Sequence, residues 1–350
     1  MSRALESLFY PEAPESLGRR LLLAPLDVAE GAFRGAVALR SLAYARGWAR
    51  PTRIDGLRVV SVGNLTVGGS GKTPVVRALA ERLQAAGESV AILSRGYGRR
   101  APDARQVEGP PWPPVEAVGD EPLMLARSLP GVRVWVGADR VALARQARAR
   151  GASVALLDDG FQTRRLGRDL DVVVVDEAVG LGNGHLLPRG PLREPRSALR
   201  RAQLLWLRVA ERPAEVDWPP GVPRVRARHA PRDVVDPSGR VTPAGELRGR
   251  RVVAFCGLAR PTSFRRTVEA LGPEVVRFDA FPDHHRYTPA ELRALEQSAT
   301  GGAMLLTTEK DAVRLPEGFP ASVVRLGVAV LEGDEQLRHE LARPPSGGGK

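Results

Sequence analysis

Cysteine is almost absent from this 350-residue chain: Cys256 stands alone, so no disulfide can form within it and a cystine-stapled secreted scaffold is excluded. Histidine is scarce too, with five residues scattered along the chain. That leaves no zinc-finger or iron–sulfur spacing, although an ion held by carboxylates stays open. No run of about 18 uninterrupted apolar residues occurs, so an ordinary transmembrane helix is not expected. No cleavable signal peptide is evident either. Aromatic residues make up only 5%. Lysine is rarer still, since among 52 basic residues the lysines are Lys72, Lys310 and the terminal Lys350. The net charge of +12 is therefore carried by arginines spread over the whole length, which reads as a coding bias. A nucleic-acid footprint would need clustered basic residues interleaved with stacking aromatics. The same scarcity makes Lys72 and Lys310 informative, because they keep a compact ammonium where guanidinium was the easy choice.

What is present suffices for a substantial core, with 43% hydrophobic and 26% charged residues over a length that suits one large or two ordinary domains. From residue 57 onward, short apolar runs at 59–62, 90–93, 132–136, 154–157, 172–175 and 204–207 read as buried, mostly parallel strands. Helical periodicity lies between them, as in 74–86, where Val76, Leu79, Ala80 and Leu83 share a face. Prolines punctuate 212–249, which reads as a linker or a short extended ribbon. A second α/β unit follows, with strands at 252–255, 275–281, 304–306 and 323–330. Thr262 is expected to cap one of its helices, and Thr288 to Glu291 reads as a capping box opening another. The stretch from Pro344 onward has the composition of a disordered tail. Before residue 50, Leu21, Leu22, Leu23, Phe33, Val37, Leu39, Leu42 and Tyr44 are interspersed with Arg34, Arg40 and Arg46. This fits a basic interfacial helix, or else a helix docked on the core.

The strongest motif is Gly68-Gly69-Ser70-Gly71-Lys72-Thr73, directly after a strand and directly before a helix. Loop amides, the helix N-terminus and the lysine ammonium would cradle a polyphosphate, while the threonine hydroxyl reaches Mg²⁺. The strict pattern wants glycine at position 66, where this chain has Thr66. Asp158 and Asp159 end a buried strand, as expected where a carboxylate faces a metal beside a phosphate loop. With lysine confined to 72, 310 and 350, no guanine-reading Asn-Lys-x-Asp motif can exist, which favours ATP over GTP. Gly119-Asp120-Glu121-Pro122 precedes an apolar helix, and Asp283-His284-His285 follows a strand of the second unit. On spacing alone these read equally as a charged helix start and a solvated loop. A carboxylate beside a histidine could instead accept a proton from an attacking hydroxyl.

Taken in order, 62–74, 94–98, 119–122, 158–162, 187–195, 255–259, 283–285 and 306–313 resemble the tetraacyldisaccharide 4′-kinase (lipid A 4′-kinase) family, over about residues 15–330. The resemblance implies transfer of the ATP γ-phosphoryl group to the 4′-hydroxyl of a tetraacylated glucosamine disaccharide 1-phosphate. It implies that Lys72 and the amides of Gly68, Gly69, Ser70 and Gly71 hold the phosphates, and that Thr73 and Asp159, with Glu121 as a further candidate, organise Mg²⁺. Asp120 would be the general base, supported by His284. Asn64, Arg140, Arg189, Arg193 and Lys310 are candidates for binding the acceptor. One departure is Thr163, where the family usually has histidine after the Asp-Asp-Gly-Phe-Gln block.

The expected architecture is α/β: a P-loop NTPase-like parallel sheet domain (51–211), a proline-rich linker or ribbon (212–249), a second, smaller α/β domain (250–343) and a disordered tail (344–350). An N-terminal helical segment (1–50) is a candidate for the membrane surface. The expected location is peripheral, on the cytoplasmic face of the inner membrane of a Gram-negative-type bacterium, with no nucleic acid and no obligate protein partner. Alternatives are another P-loop small-molecule kinase or ATPase and, from a different class, a basic nucleic-acid-binding protein.

Overall fold

The computed structural model describes residues 7–11, 16–68, 71–100 and 103–344. Gly69 and Ser70 of the phosphate loop, and the tail beyond Pro344, lie outside the described residues. The first half of the chain builds β1 (Arg58–Gly63), β2 (Val90–Ser94), β3 (Arg105–Val107), β4 (Arg133–Val136), β5 (Val154–Asp158), β6 (Leu170–Asp176) and β7 (Leu204–Arg208). The second half adds β8 (Arg224–Val235), β9 (Val241–Pro243), β10 (Arg251–Cys256), β11 (Glu274–Ala280), β12 (Met304–Thr308) and β13 (Ala321–Glu332). They form one 13-stranded sheet in the order β11-β10-β12-β13-β8-β7-β6-β1-β5-β2-β4-β3, with β9 beside β8.

Every residue of β1, β2, β5 and β6 is buried, which explains their nearly unbroken aliphatic composition: helices cover both faces. Val60, Ile92 and Leu156 point to the face packed by Val75, Val76, Leu79 and Leu83 of α2 (Lys72–Ala85). Their neighbours Val59, Ala91 and Ala155 point to the face packed by Val141, Leu143 and Ala147 of α5 (Arg140–Ala149). Burying one such Val or Leu side chain contributes about 1.5–3 kcal/mol. Between these helices in sequence lie the single turn α3 (Val115–Val118) and α4 (Asp120–Ser128).

Three pairings depart from the expected parallel pattern, because β3·β4, β8·β9 and β8·β13 are antiparallel. Residues 212–249 hold β8, which is twelve residues long, parallel to β7 on one edge and antiparallel to β13 on the other. The prolines stand before it and at Pro231, where the register with β13 shifts, as expected of a residue that cannot donate to a ladder. In the second unit, α6 (Pro261–Ala270) starts one residue earlier than expected, with Arg260 as N-cap and Pro261 in its first turn. Thr262 therefore lies inside the helix rather than capping it, consistent with proline's fixed φ at a helix start. The capping box at Thr288 and Glu291 opens α7 (Pro289–Ser298), with both reciprocal hydrogen bonds formed. The short α8 (Glu309–Ala312) and α9 (Asp334–Ala342) complete the chain's helices.

The N-terminal α1 (Leu17–Ala45) is 29 residues long and contains Pro25. Its polarity is inverted relative to an ordinary surface helix. At 100° per residue, Leu21, Val28 and Leu39 fall within about 20° of one another and roughly opposite Glu30. Leu21, Leu22 and Val28 are 77–79% exposed, whereas Glu30 is buried. The acids face the body: Glu30 accepts from the Leu186 amide (3.0 Å) and lies 2.7 Å from His185 Nδ1, and Asp27 accepts from Arg189 Nε (2.9 Å). The Asp27, Glu30 and His185 ligand atoms cluster within 4.8 Å of one another, but Arg189 and Arg34 already neutralise both acids. The cluster thus clamps the helix to the loop after β6. No helix among the described residues is long and apolar enough to cross a membrane.

Candidate active site

The phosphate loop leaves β1 at Gly63, where a Cβ would come within 2.7 Å of the Phe161 backbone nitrogen, so only glycine lets the two loops meet there. It enters α2 through Gly71, whose φ of 76° favours glycine and which caps the helix without a side chain. The first amides of α2 are thereby left for an anion. Lys72 Nζ lies 3.1 Å from Asn64 Oδ1 and 3.4 Å from Asp159 Oδ1. Asn64 is fully buried and its amide donates to the Thr66 carbonyl at 2.8 Å, so it holds both the loop and the ammonium. Thr66 thus occupies the usual glycine position as part of a bonded turn, and it bridges Leu192 across the loop. Thr73 stands half-buried in the first turn of α2.

The 187–195 block closes over this entry. The Val67 amide donates to Pro191 O (2.8 Å) and the Arg193 amide to Leu65 O (2.7 Å). Arg193 is thereby delivered to Asp159 Oδ2 at 2.8 Å. Burial works against charge on Asp159, but Lys72 and Arg193 outweigh it and hold the carboxyl below its ordinary range. Its neighbour Asp158 is buried against Ser94 Oγ (3.0 Å). Burial first, then the negative charges of Glu121 and Asp159, push Asp158 up to about 7. Three carboxylates crowded at a strand end, with Asp159 Oδ1 making no well-formed hydrogen bond, are short of positive charge. Hard oxygen donors of this kind, with the Thr73 hydroxyl, suit Mg²⁺.

Across the sheet's C-terminal edge, Asp120 opens α4 after Gly119. His284 Nδ1 lies 2.8 Å from Asp120 Oδ2, and Arg314 donates to the same oxygen through Nε (3.0 Å) and through its terminal nitrogen. Among the described residues no partner falls on Oδ1. Burial raises the cost of charge on Asp120, yet His284 and Arg314 together hold it well below the usual carboxylate range. Lys310 Nζ sits 3.2 Å from His284 Nε2 and 3.6 Å from Asp283 Oδ1. An ammonium can only donate, so Nε2 accepts and the imidazole proton sits on Nδ1, toward Asp120.

The support for this group is Asp311, fully buried, which accepts from the Gly257 amide (2.9 Å), Tyr287 OH (2.9 Å) and Thr308 Oγ1 (2.6 Å). It ties together the strand ends that carry His284 and Arg314. Cys256 lies beside it, and burial pushes that thiol up to about 12, so it offers no nucleophile. Among the described residues, Asp159 (φ 54°) and His284 (φ 58°) are the non-glycine residues with positive φ. Such backbone strain gathers at functional sites, and here it falls on one residue of each half.

The other expected residues are distributed as follows. Arg140 is buried at the start of α5, donates to Gly137 O, and burial draws its guanidinium down to about 10 despite the nearby Asp158 charge. Arg189 is buried in the clamp on Asp27. Glu121 is exposed and reaches the carboxylate cluster through its charge. The sequence reading missed Arg314, one helical turn beyond Lys310, and Asp158 as a separate buried acid. It also missed His229 of β8, whose ring would be 3.0 Å from a Cβ at Gly71. Only the topology, which lays β8 beside β7, brings that histidine to the loop.

Comparison with known proteins agrees with this geometry. The family model described as LpxK, tetraacyldisaccharide-1-P 4′-kinase, matches residues 19–343. The chain is 51% identical to a tetraacyldisaccharide 4′-kinase of Anaeromyxobacter dehalogenans strain 2CP-C, covering 97% of this chain and 94% of that one. It is 42% identical to the protein of the same name from Rhodospirillum centenum, covering 95% and 94%. A crystal structure of an "apo" form of LpxK from Aquifex aeolicus in complex with ATP superposes with a TM-score of 0.78 at 32% identity, covering 92% of this chain and 98% of that one.

Proposed function

The chain belongs to the tetraacyldisaccharide-1-P 4′-kinase family and is an ATP-dependent kinase of lipid A biosynthesis, and from that premise we propose a division of labour among its residues. The 51–211 unit supplies the phosphate loop and carboxylates, and the 250–343 unit supplies His284, Arg314 and Lys310. The loop of Gly68, Gly69, Ser70 and Gly71, with Lys72, binds the ATP phosphates. Thr73, Asp158 and Asp159 hold Mg²⁺, with Glu121 adding charge, and the ion when bound neutralises the β- and γ-phosphoryl oxygens. Asp120 takes the acceptor's 4′-hydroxyl on its open Oδ1 and receives the proton. Lys310 holds His284 in the tautomer that donates to Oδ2, so the carboxylate is fixed in place.

A strongly acidic carboxyl is a weak base, which by itself argues against this role. Phosphoryl transfer passes through a loose transition state, however, in which aiming the hydroxyl matters more than basicity. The observation that carries the reading is the 2.8 Å contact between Asp120 and His284, which joins residues 164 positions apart from the two halves. His284→Gln tests it: turnover should fall on the order of 10- to 100-fold with ATP affinity unchanged, the loss expected when a positioned acceptor becomes mobile. Undiminished turnover would separate the contact from the chemistry.

The acceptor is acylated, and α1 turns its apolar stripe away from the body. That supports a peripheral position on a membrane surface, the cytoplasmic face of the inner membrane where ATP is available. Leu21→Ser, Leu22→Ser and Val28→Ser together should weaken flotation with phospholipid vesicles by about tenfold while secondary structure is kept, since each removed side chain withdraws apolar area from the interface. Unchanged flotation would leave the stripe without this role. The reading requires neither nucleic acid nor a second protein chain.

A further inference from the structure

Between the C-terminal part of α1 and the start of α5 lies a cavity of about 310 Å³ whose lining includes Arg40, Tyr44, Arg140, Gln162, Arg164 and Arg165. Its one acid is Asp139, and that carboxylate is already engaged as the α5 cap, accepting from the Val141 and Ala142 amides at 2.9 and 3.2 Å. Arg40 shares the fully buried Glu194 with Arg201. Arg164 donates to Ser41 Oγ and lies over the Tyr44 ring, with no carboxylate of its own. Several guanidinium donors here are buried and unmatched: Arg40 Nε, Arg140 Nε and both Nε and a terminal nitrogen of Arg201. A buried donor without an acceptor costs on the order of 1–3 kcal/mol, and four in one neighbourhood amount to a demand for an anion. Burial, followed by the repulsion of Arg201, also lowers the Arg164 guanidinium from its ordinary range, as expected where negative charge is lacking.

We propose that this cavity receives the phosphomonoester on the anomeric carbon of the acceptor, at the end of the disaccharide opposite the reacting hydroxyl. The inference rests on the kinase reading above and names the contact that selects its substrate. One wall, Arg140, stands in the field of Asp158 and Asp159, so the cavity opens beside the phosphate-transfer residues. The opposite wall is α1, the element whose outer face is apolar. An acceptor with acyl chains along α1 and its 4′-hydroxyl at Asp120 sets its far phosphate between these walls. Guanidinium forks match phosphate oxygens with paired hydrogen bonds, which a lysine would not. The volume falls at the low end of small-molecule sites, about 300–1,000 Å³, enough for a sugar phosphate rather than a bare ion.

The test compares kcat/KM for two acceptors in micelles of uncharged detergent: tetraacyldisaccharide 1-phosphate and the same lipid lacking the 1-phosphate. Wild type should prefer the phosphorylated acceptor on the order of 100-fold, the worth of one or two charge-assisted hydrogen bonds. Arg164→Gln with Arg165→Gln should cut that preference to within about threefold, mainly through KM. Arg165→Gln alone should lower it by an intermediate factor; its side chain is exposed, so folding is not at stake. A variant that keeps the full preference overturns the inference. So does a defect seen only on vesicles of anionic phospholipid, because the cavity would then read a lipid headgroup. Wild type that phosphorylates neither lipid would overturn the kinase reading itself.

Discussion

Lys72→Ala loses phosphoryl transfer by at least about 10³-fold, the scale set by removing a preorganised positive charge from a developing phosphoryl centre. The ammonium is a shared element of the site, 3.1 Å from Asn64 Oδ1 and 3.4 Å from Asp159, so its loss both empties the phosphate cradle and leaves Asp159 to Arg193 alone. The fold should tolerate the change, at a cost of about 1–2 kcal/mol, because one charge-assisted contact is lost from a partly open position. Thermal unfolding and ATP binding by calorimetry separate the two effects. Lys72→Arg should not restore activity, since a planar fork does not replace a point charge in a loop this tight. An alanine variant within tenfold of wild type would remove the phosphate-loop assignment.

Asp120→Asn reduces turnover by on the order of 10²- to 10⁴-fold, the range of a positioned proton acceptor, while ATP affinity stays within about threefold because no phosphate contact is removed. Asparagine keeps the shape and can still accept from His284, so a loss isolates the charge. The pH dependence follows from the sign of the shift. His284 and Arg314 hold the Asp120 carboxyl below its ordinary range against the opposing effect of burial. The ionised form, and the stability its ion pair contributes, are therefore fully present above the unfolded carboxylate value of about 3.9 and are lost only as pH falls through the lower folded value. An acid limb of kcat/KM near neutrality would belong to another group. Turnover within tenfold of wild type would leave Asp120 as a helix-start charge paired with Arg314.

Much of the site was legible because its chemistry is local in sequence. Gly71-Lys72-Thr73 sits between a strand and a helix, and Asp159 ends a strand, so periodicity and residue type alone put phosphate and metal chemistry at one sheet edge. Asp120 and His284 were visible as residues but not as a pair. Spacing gave each an equally good bland reading, and only the family resemblance joined them. What stayed hidden depends on strand order. β8 lies in a proline-punctuated stretch without clear period, yet it is the strand that fuses the two halves. That fusion brings Arg77 of α2 onto Glu309 of α8 and Arg314 onto Asp120. The arginine bias also masked function, since Arg314, Arg164 and Arg165 look like any of the other arginines until burial and missing partners set them apart.

Position-resolved labelling decides whether this site does what its geometry implies. Incubated with γ-³²P-ATP, Mg²⁺ and tetraacyldisaccharide 1-phosphate in detergent micelles, the protein should place label in the lipid. The label should survive mild acid, which cleaves an anomeric phosphate but spares a phosphomonoester on the 4′-oxygen. Label recovered only as inorganic phosphate, or released from the lipid by mild acid, would contradict transfer to the 4′-hydroxyl.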